Sequence, residues 1–298
     1  MNADHALPPS ESLRALRWEL DGPIATVYLH RPHRANAWNG TMHAEFIAVM
    51  RALEHRSGLR AIIVTGTGST FSVGGDSTAL GDHAERGSYD TGLADDIVRP
   101  GSPLRPEYDD DLAWLLGYRL PVIAAVNGAV AGVSLALACF CDLRFGSAPA
   151  KFTTAAPKLG LPAEYGLSWT LPRIIGTTRA ADLLLSGRVV TVADTAQWGL
   201  WNDVLPDAAS TLTAAQDYGR LLAATTGPHA VSTAKAQLHA DWLRHDPAAS
   251  VRESKALLDT AMGTEEYREG IAAFMEKRPP QFSAHEVRNP GAPTKLGA

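Results

Sequence analysis

Ala124-Ala125-Val126-Asn127-Gly128-Ala129-Val130-Ala131-Gly132-Val133-Ser134 decides the fold, read together with an earlier stretch, Phe71-Ser72-Val73-Gly74-Gly75-Asp76. Each follows an apolar run of buried-strand type, Val122-Ile123-Ala124-Ala125-Val126 for one and Ala61-Ile62-Ile63-Val64 for the other. Each then breaks into a turn of small residues. Such turns let the main chain approach a ligand closely and leave N–H groups free to point at it. Two of them aimed at one oxygen make an oxyanion hole, the usual device for stabilising a thioester enolate.

Outward from these turns, the chain reads as an alternation of strands and helices. Leu16 to Leu29 forms two strands around Asp21-Gly22-Pro23, and Thr41 to His55 carries apolar residues at helical spacing. Leu112 to Gly117 reads as helical, Leu135 to Cys141 as a buried helix, and Asp142 to Gly146 and Lys151-Phe152 as strands. Helices follow around Trp169 and over Arg179 to Leu185. Recurring strand pairs between helices predict an α/β core with parallel pairing. Residues 77–111, rich in Gly, Asp and Ser, read as a long connection that is either a solvated loop or a lid. From about residue 208 the pattern is all helical, over Ala230 to Leu243, Ala248 to Met262 and Glu265 to Glu276. The expected organisation is a flexible arm (1–15), a strand-bearing core (16–207), a helical C-terminal region (208–285) and a disordered tail (286–298).

Composition narrows the function classes. The 298 residues are 45% hydrophobic and 20% charged, ordinary for a globular enzyme-sized protein. A net charge of −5 and no basic run argue against a nucleic-acid partner. No apolar run approaches the roughly 18 residues of a membrane span. Met1 to Leu13 is polar and contains prolines, which reads as neither a signal nor a transit segment, so the expected location is cytoplasmic. Cys139 and Cys141 are too few for a disulfide framework or a zinc site and read as buried reduced thiols.

Six motifs, in order along the chain, resemble the crotonase (enoyl-CoA hydratase/isomerase) superfamily over roughly residues 14–285. They are Arg31-Pro32-His33-Arg34-Ala35-Asn36-Ala37, Phe71 to Asp76, Pro121 to Gly128, Cys141-Asp142-Leu143-Arg144, Leu171 to Gly176, and Phe274 to Phe282. The resemblance implies a spiral of ββα units whose helical C-terminal region mediates trimers, often paired into hexamers. It implies an acyl group carried on coenzyme A, with no bound cofactor or metal, in a setting such as fatty acid metabolism. The oxyanion-hole donors map onto the backbone N–H groups of Gly75 and Val133, the latter a position that is usually glycine. Arg34, Ala35 and Ala37 match the loop along the CoA nucleotide, and Lys277 matches a basic residue that reaches CoA phosphates in some members. As isolated residues, Arg34 and Lys277 read equally well as solvated charges.

The pattern breaks at the acids. The family's hydratases use two glutamates, and their places here are Ala136 and Ala156. A methyl group transfers no proton, so two-glutamate hydration is not expected. Glu164 falls where several members carry an aspartate, which makes a single-carboxylate double-bond isomerase the leading expectation. The alternatives are a hydratase or lyase with a substituted acid set, a β-diketone hydrolase, and an acyl-CoA-binding protein. Glu164 otherwise reads as a surface acid capping the helix after it, and Tyr165 as a hydrogen-bond donor or a pocket wall. Asp76 and Asp142 read as structural, His239 and His245 as exposed. Asp82, Glu107 and Asp109 are the loop acids that a closing segment could bring in, and Trp38, Trp114 and Trp169 hint at a large acyl group.

Overall fold

Strand order explains how two distant turns come to one place. The computed structural model describes residues 6–94, 96–101 and 104–282. Its strands are β1 (Leu16–Asp21), β2 (Ile24–Leu29), β3 (Ala61–Gly66), β4 (Thr70–Ser72), β5 (Val122–Val126), β6 (Ala129–Ala131), β7 (Leu143–Ser147), β8 (Lys151–Thr153), β9 (Val190–Thr191) and β10 (Asp203–Leu205). Its helices are α1 (Gly40–Glu54), α2 (Ser77–Arg86), α3 (Gly132–Phe140), α4 (Leu167–Ile175), α5 (Thr177–Ser186), α6 (Ala208–Thr225), α7 (Pro228–Trp242), α8 (Pro247–Met262) and α9 (Glu265–Glu276). One sheet runs β1-β2-β3-β5-β7-β10 and a second runs β4-β6-β8-β9.

Each successive unit puts one strand into each sheet, β3 then β4, β5 then β6, β7 then β8, before turning into a helix. That is the expected spiral of ββα units. Strands β2, β3, β5, β7 and β10 pair in parallel, as do β4, β6 and β8, while β1 closes one edge as an antiparallel hairpin arm. β3 and β5 are buried throughout, as parallel strands covered on both faces must be. One face of the long sheet packs on α1 and the main core. The other packs on α6, where Ile24, Ala61, Ile63, Ile123, Ala125 and Phe145 surround Ala215. Gly219 of α6 lets that helix close on Ile24, since a Cβ there would stand 3.0 Å from the Ile24 side chain.

Several local expectations need correction. Residues 8–15 are tied down and not loose: Pro8 accepts from the Trp18 indole, and Glu45 accepts from the backbone N–H groups of Arg14, Ala15 and Leu16. The connection 77–111 contains α2, started by the Asp76 carboxylate accepting from Thr78 N–H and ended by left-handed Gly87. No α2 residue is buried, so the apolar spacing that marks other helices is missing there. His239 is buried and not exposed. Its Nε2 lies 2.9 Å from Asp142, which also accepts from Lys235 Nζ at 2.7 Å and from Val122 N–H. The expected disordered tail, 286–298, lies outside the described residues.

Asp76 caps α2 and pairs with Arg31 at 2.7 Å. Cys139 and Cys141 are free and buried, and burial pushes their thiols up to about 11 and about 12. Among the described residues no helix is long and apolar enough to cross a membrane.

Candidate active site

The site forms where three consecutive units leave the second sheet. The first supplies Gly74 and Gly75 after β4, the second Gly132 and Val133 after β6, and the third Glu164 and Tyr165 after β8. Because β4 and β6 are hydrogen-bonded neighbours, their turns lie side by side. Gly74, at φ +91°, brings the first turn so near the second that an added Cβ would stand 2.9 Å from the Ala131 carbonyl. The hydroxyls of Ser72 and Ser134 share a buried 2.6 Å hydrogen bond that fastens β4 to α3.

Backbone pairing sets the first donor. Trp38 N–H donates to Gly74 O and Asp76 N–H donates to Trp38 O, a parallel bridge centred on Gly75. In that pattern the N–H of the central residue points away from the bridging strand. The second donor is a helix-end group. Val133 is the second residue of α3, whose first N–H groups have no partner within the helix. Valine at this place does not obstruct the turn, because the left-handed conformation falls on Gly132 instead, at φ +51°.

Glu164 is the carboxylate that meets these turns. Its carboxylate lies against the second turn, where a Cβ on Gly132 would stand 2.9 Å from its Oε2 and the Val133 N–H acts to lower its pKa. It does not cap α4, whose N-cap Gly166 offers no side chain and whose first N–H groups receive no side-chain bond. Burial raises its pKa above the ordinary carboxylate value, and the Val133 N–H partly offsets that. Ala136 and Ala156 are both fully buried. Neither offers a group that exchanges protons.

Around Glu164 the structure gathers residues that no local motif announces. Tyr165, in the left-handed region at φ +44°, hydrogen-bonds through its hydroxyl to that of Tyr89, which lies just beyond α2. The His43 ring, on α1, lies 6.5 Å from that of Tyr165 and 5.3 Å from that of Trp38. His43 Nε2 is 3.8 Å from Asp111, which pairs with Arg99 at 3.3 Å. Burial lowers the His43 pKa, so the ring is neutral near pH 7, and the same burial raises both tyrosines. The acid brought in by the 77–111 connection is thus Asp111, and not Asp82, Glu107 or Asp109. Of the three tryptophans, Trp38 flanks the site, Trp114 packs behind it on Phe46, and Trp169 sits against Trp242 and Arg173.

The loop 31–37 lies beside the first turn. Ala35 O accepts from Val73 N–H, while buried Asn36 ties the loop to Thr67 and Thr70. Ala35 is half-buried, Ala37 buried and Arg34 exposed. Lys277 ends α9, exposed, and among the described residues no hydrogen bond or ion pair joins it to that loop. A groove of about 450 Å³ between α7, α8 and α9 shares no residue with the site.

A spiral of ββα units with two small-residue turns converging on one carboxylate defines a class of acyl-thioester enzymes. Comparison with known proteins gives the family directly. The sequence model for enoyl-CoA hydratase/isomerase matches residues 19–285. A protein named "Probable enoyl-CoA hydratase" from Rhodobacter capsulatus is 33% identical over 91% of this chain and 99% of its own length. A 1,2-epoxyphenylacetyl-CoA isomerase from Escherichia coli is 32% identical over 87% of this chain and 95% of its own. The crystal structure of an enoyl-CoA hydratase from Polaromonas sp. JS666 superposes with a TM-score of 0.78 at 26% identity, covering 91% of this chain and all of that one. The chain belongs to the enoyl-CoA hydratase/isomerase family and has the crotonase fold.

Proposed function

We propose that this enzyme shifts a double bond within an enoyl-CoA thioester, using Glu164 as a single proton carrier. The observation that carries the reading is the seat of the Glu164 carboxylate against Gly132, next to the Val133 N–H expected to hold the thioester oxygen. The thioester oxygen replaces the carboxylate at Val133 N–H and takes Gly75 N–H as its second donor. That exchange removes the one influence lowering the Glu164 pKa, while substrate burial raises it further. The carboxylate therefore becomes a stronger base once substrate is seated.

Glu164 takes a proton from the carbon α or γ to the carbonyl, and the electron pair moves onto the thioester oxygen as an enolate held by the two N–H groups. The carboxylic acid then returns the proton at the other end of the conjugated system, and the double bond has moved with no atom gained or lost. Ala136 and Ala156 leave no second acid at the places from which water is activated in two-glutamate hydration. One relative, the 1,2-epoxyphenylacetyl-CoA isomerase, bears a name consistent with isomerase chemistry.

In this reading Arg34, Ala35 and Ala37 lie along the CoA nucleotide, and Lys277 reaches its phosphates. Exposed Leu258, Met262, Ile271 and Phe274 on α8 and α9 support assembly into a homotrimer or hexamer through those helices. The test is mass spectrometry and NMR of a panel of enoyl-CoAs incubated with the enzyme. Products of unchanged mass with a displaced double bond are expected. Products heavier by one water would establish a hydratase instead. Thioester binding without turnover would establish a binding protein, and no thioester affinity would favour a diketone hydrolase.

A further inference from the structure

His43 is 1% exposed, yet neither ring nitrogen has a hydrogen-bond partner. Its nearest charged neighbour, Asp111, is at 3.8 Å, beyond hydrogen-bond reach. The indole N–H of Trp38 is also buried and unpartnered. Three unsatisfied polar atoms therefore lie on two rings whose centres are 5.3 Å apart. Buried polar groups are nearly always paired, so a group of this kind needs an explanation.

Its position supplies one. Trp38 is the residue whose backbone bridges Gly75, the first oxyanion turn. Tyr165, next in sequence to Glu164, has its ring centre 6.5 Å from that of His43. The unpartnered atoms are thus beside the proton carrier and the oxyanion hole, on the side of the connection that carries Tyr89 and Asp111. Neutral imidazole presents one donor and one acceptor, and indole adds a donor. A hydroxyl, which donates and accepts, satisfies such a set, whereas a hydrocarbon chain leaves every member unpaired.

Resting on the thioester reading above, we propose that the acyl group carries a hydroxyl beyond the thioester, and that His43 and Trp38 recognise it. Asp111 acts through His43 as a positioning residue, favouring the tautomer with a proton on Nε2 and leaving Nδ1 as acceptor. Tyr89 is hydrogen-bonded to Tyr165 next to these rings. A site built to hydrogen-bond a substrate oxygen discriminates strongly against the analogue that lacks it, by up to ~10⁴-fold or more.

The test uses unreactive saturated thioesters, so that binding is read apart from catalysis. Titration calorimetry compares phenylacetyl-CoA with its 3- and 4-hydroxy derivatives, and hexanoyl-CoA with 6-hydroxyhexanoyl-CoA. At least one hydroxylated member is expected to bind wild type about tenfold or more tightly than its parent. In His43→Phe that preference falls below about threefold while the parent binds as before or better. Trp38→Phe, a gentler change, narrows the preference in the same direction. Equal binding of every pair by wild type, or a preference that survives both substitutions, overturns the proposal. If parents and derivatives alike fail to bind, the thioester reading itself falls and takes this inference with it.

Discussion

The site has two halves of different construction. The half proposed to hold the oxyanion is backbone: two turns side by side because β4 pairs with β6, fastened by Ser72 and Ser134. The half proposed to move protons and recognise the acyl group is side chain. It is drawn from α1, from the segment beyond α2, from the residues before β5 and from the loop before α4. The first half follows from the fold and tolerates valine at its second donor. The second half can be rewritten without touching the fold, as Ala136 and Ala156 show. On the proposed mechanism, the fold supplies the oxyanion turns while the proton carrier is free to change.

Breaking the backbone half from behind has the largest effect on stability. Asp142 is largely enclosed with Lys235 and His239 and supports Val122 at the start of β5, the strand that leads to the second turn. Lys235→Met leaves that carboxylate uncompensated and is expected to cost about 3–5 kcal/mol, seen as a lower midpoint in denaturant. The Lys235 ammonium and the His239 hydrogen bond hold the Asp142 pKa below the usual value, against the effect of burial. Their stabilisation is therefore present above the unfolded carboxylate pKa and is lost as pH falls through the folded one.

Gly132→Ala tests where the halves meet. The new methyl would stand 2.9 Å from Glu164 Oε2 at a left-handed φ, which costs about 1–2 kcal/mol in backbone strain alone. Turnover is expected to fall about 100-fold as the carboxylate is displaced, because misplacement on the order of 1 Å has that effect. An unchanged kcat would mean that Glu164 does not work from this position.

A smaller effect separates the charge of Glu164 from its shape. Burial raises its folded pKa, so the folded protein holds this proton more tightly than the unfolded chain does. Ionised Glu164 then costs stability above the unfolded carboxylate pKa of about 4.3, and the cost vanishes below it. Glu164→Gln is expected to raise the melting temperature at about pH 8 and to match wild type near about pH 3. A variant equally shifted at both values would locate the effect in packing.

The sequence carried the backbone half almost completely. Apolar strands running into Gly74-Gly75 and Gly132-Val133 are local patterns, and local patterns survive without a structure. The rest is long-range. His239 reads as an exposed position on an amphipathic helix because its partner, Asp142, is 97 residues away. His43, Tyr89, Asp111 and Tyr165 meet only through the spiral, so no spacing announces them. The helix α2 had an available signal in its Asp76 cap and Gly87 terminator. Its polar composition hid it, since none of its residues enters the core.

The central claim, that Glu164 carries the proton, is tested most directly by exchange in heavy water. An enoyl-CoA that the wild-type enzyme isomerises should gain deuterium at its α or γ carbon, detected by mass spectrometry. With Glu164→Gln the exchange rate should fall on the order of 10³-fold while thioester binding is retained. Exchange at the wild-type rate in that variant would contradict the account.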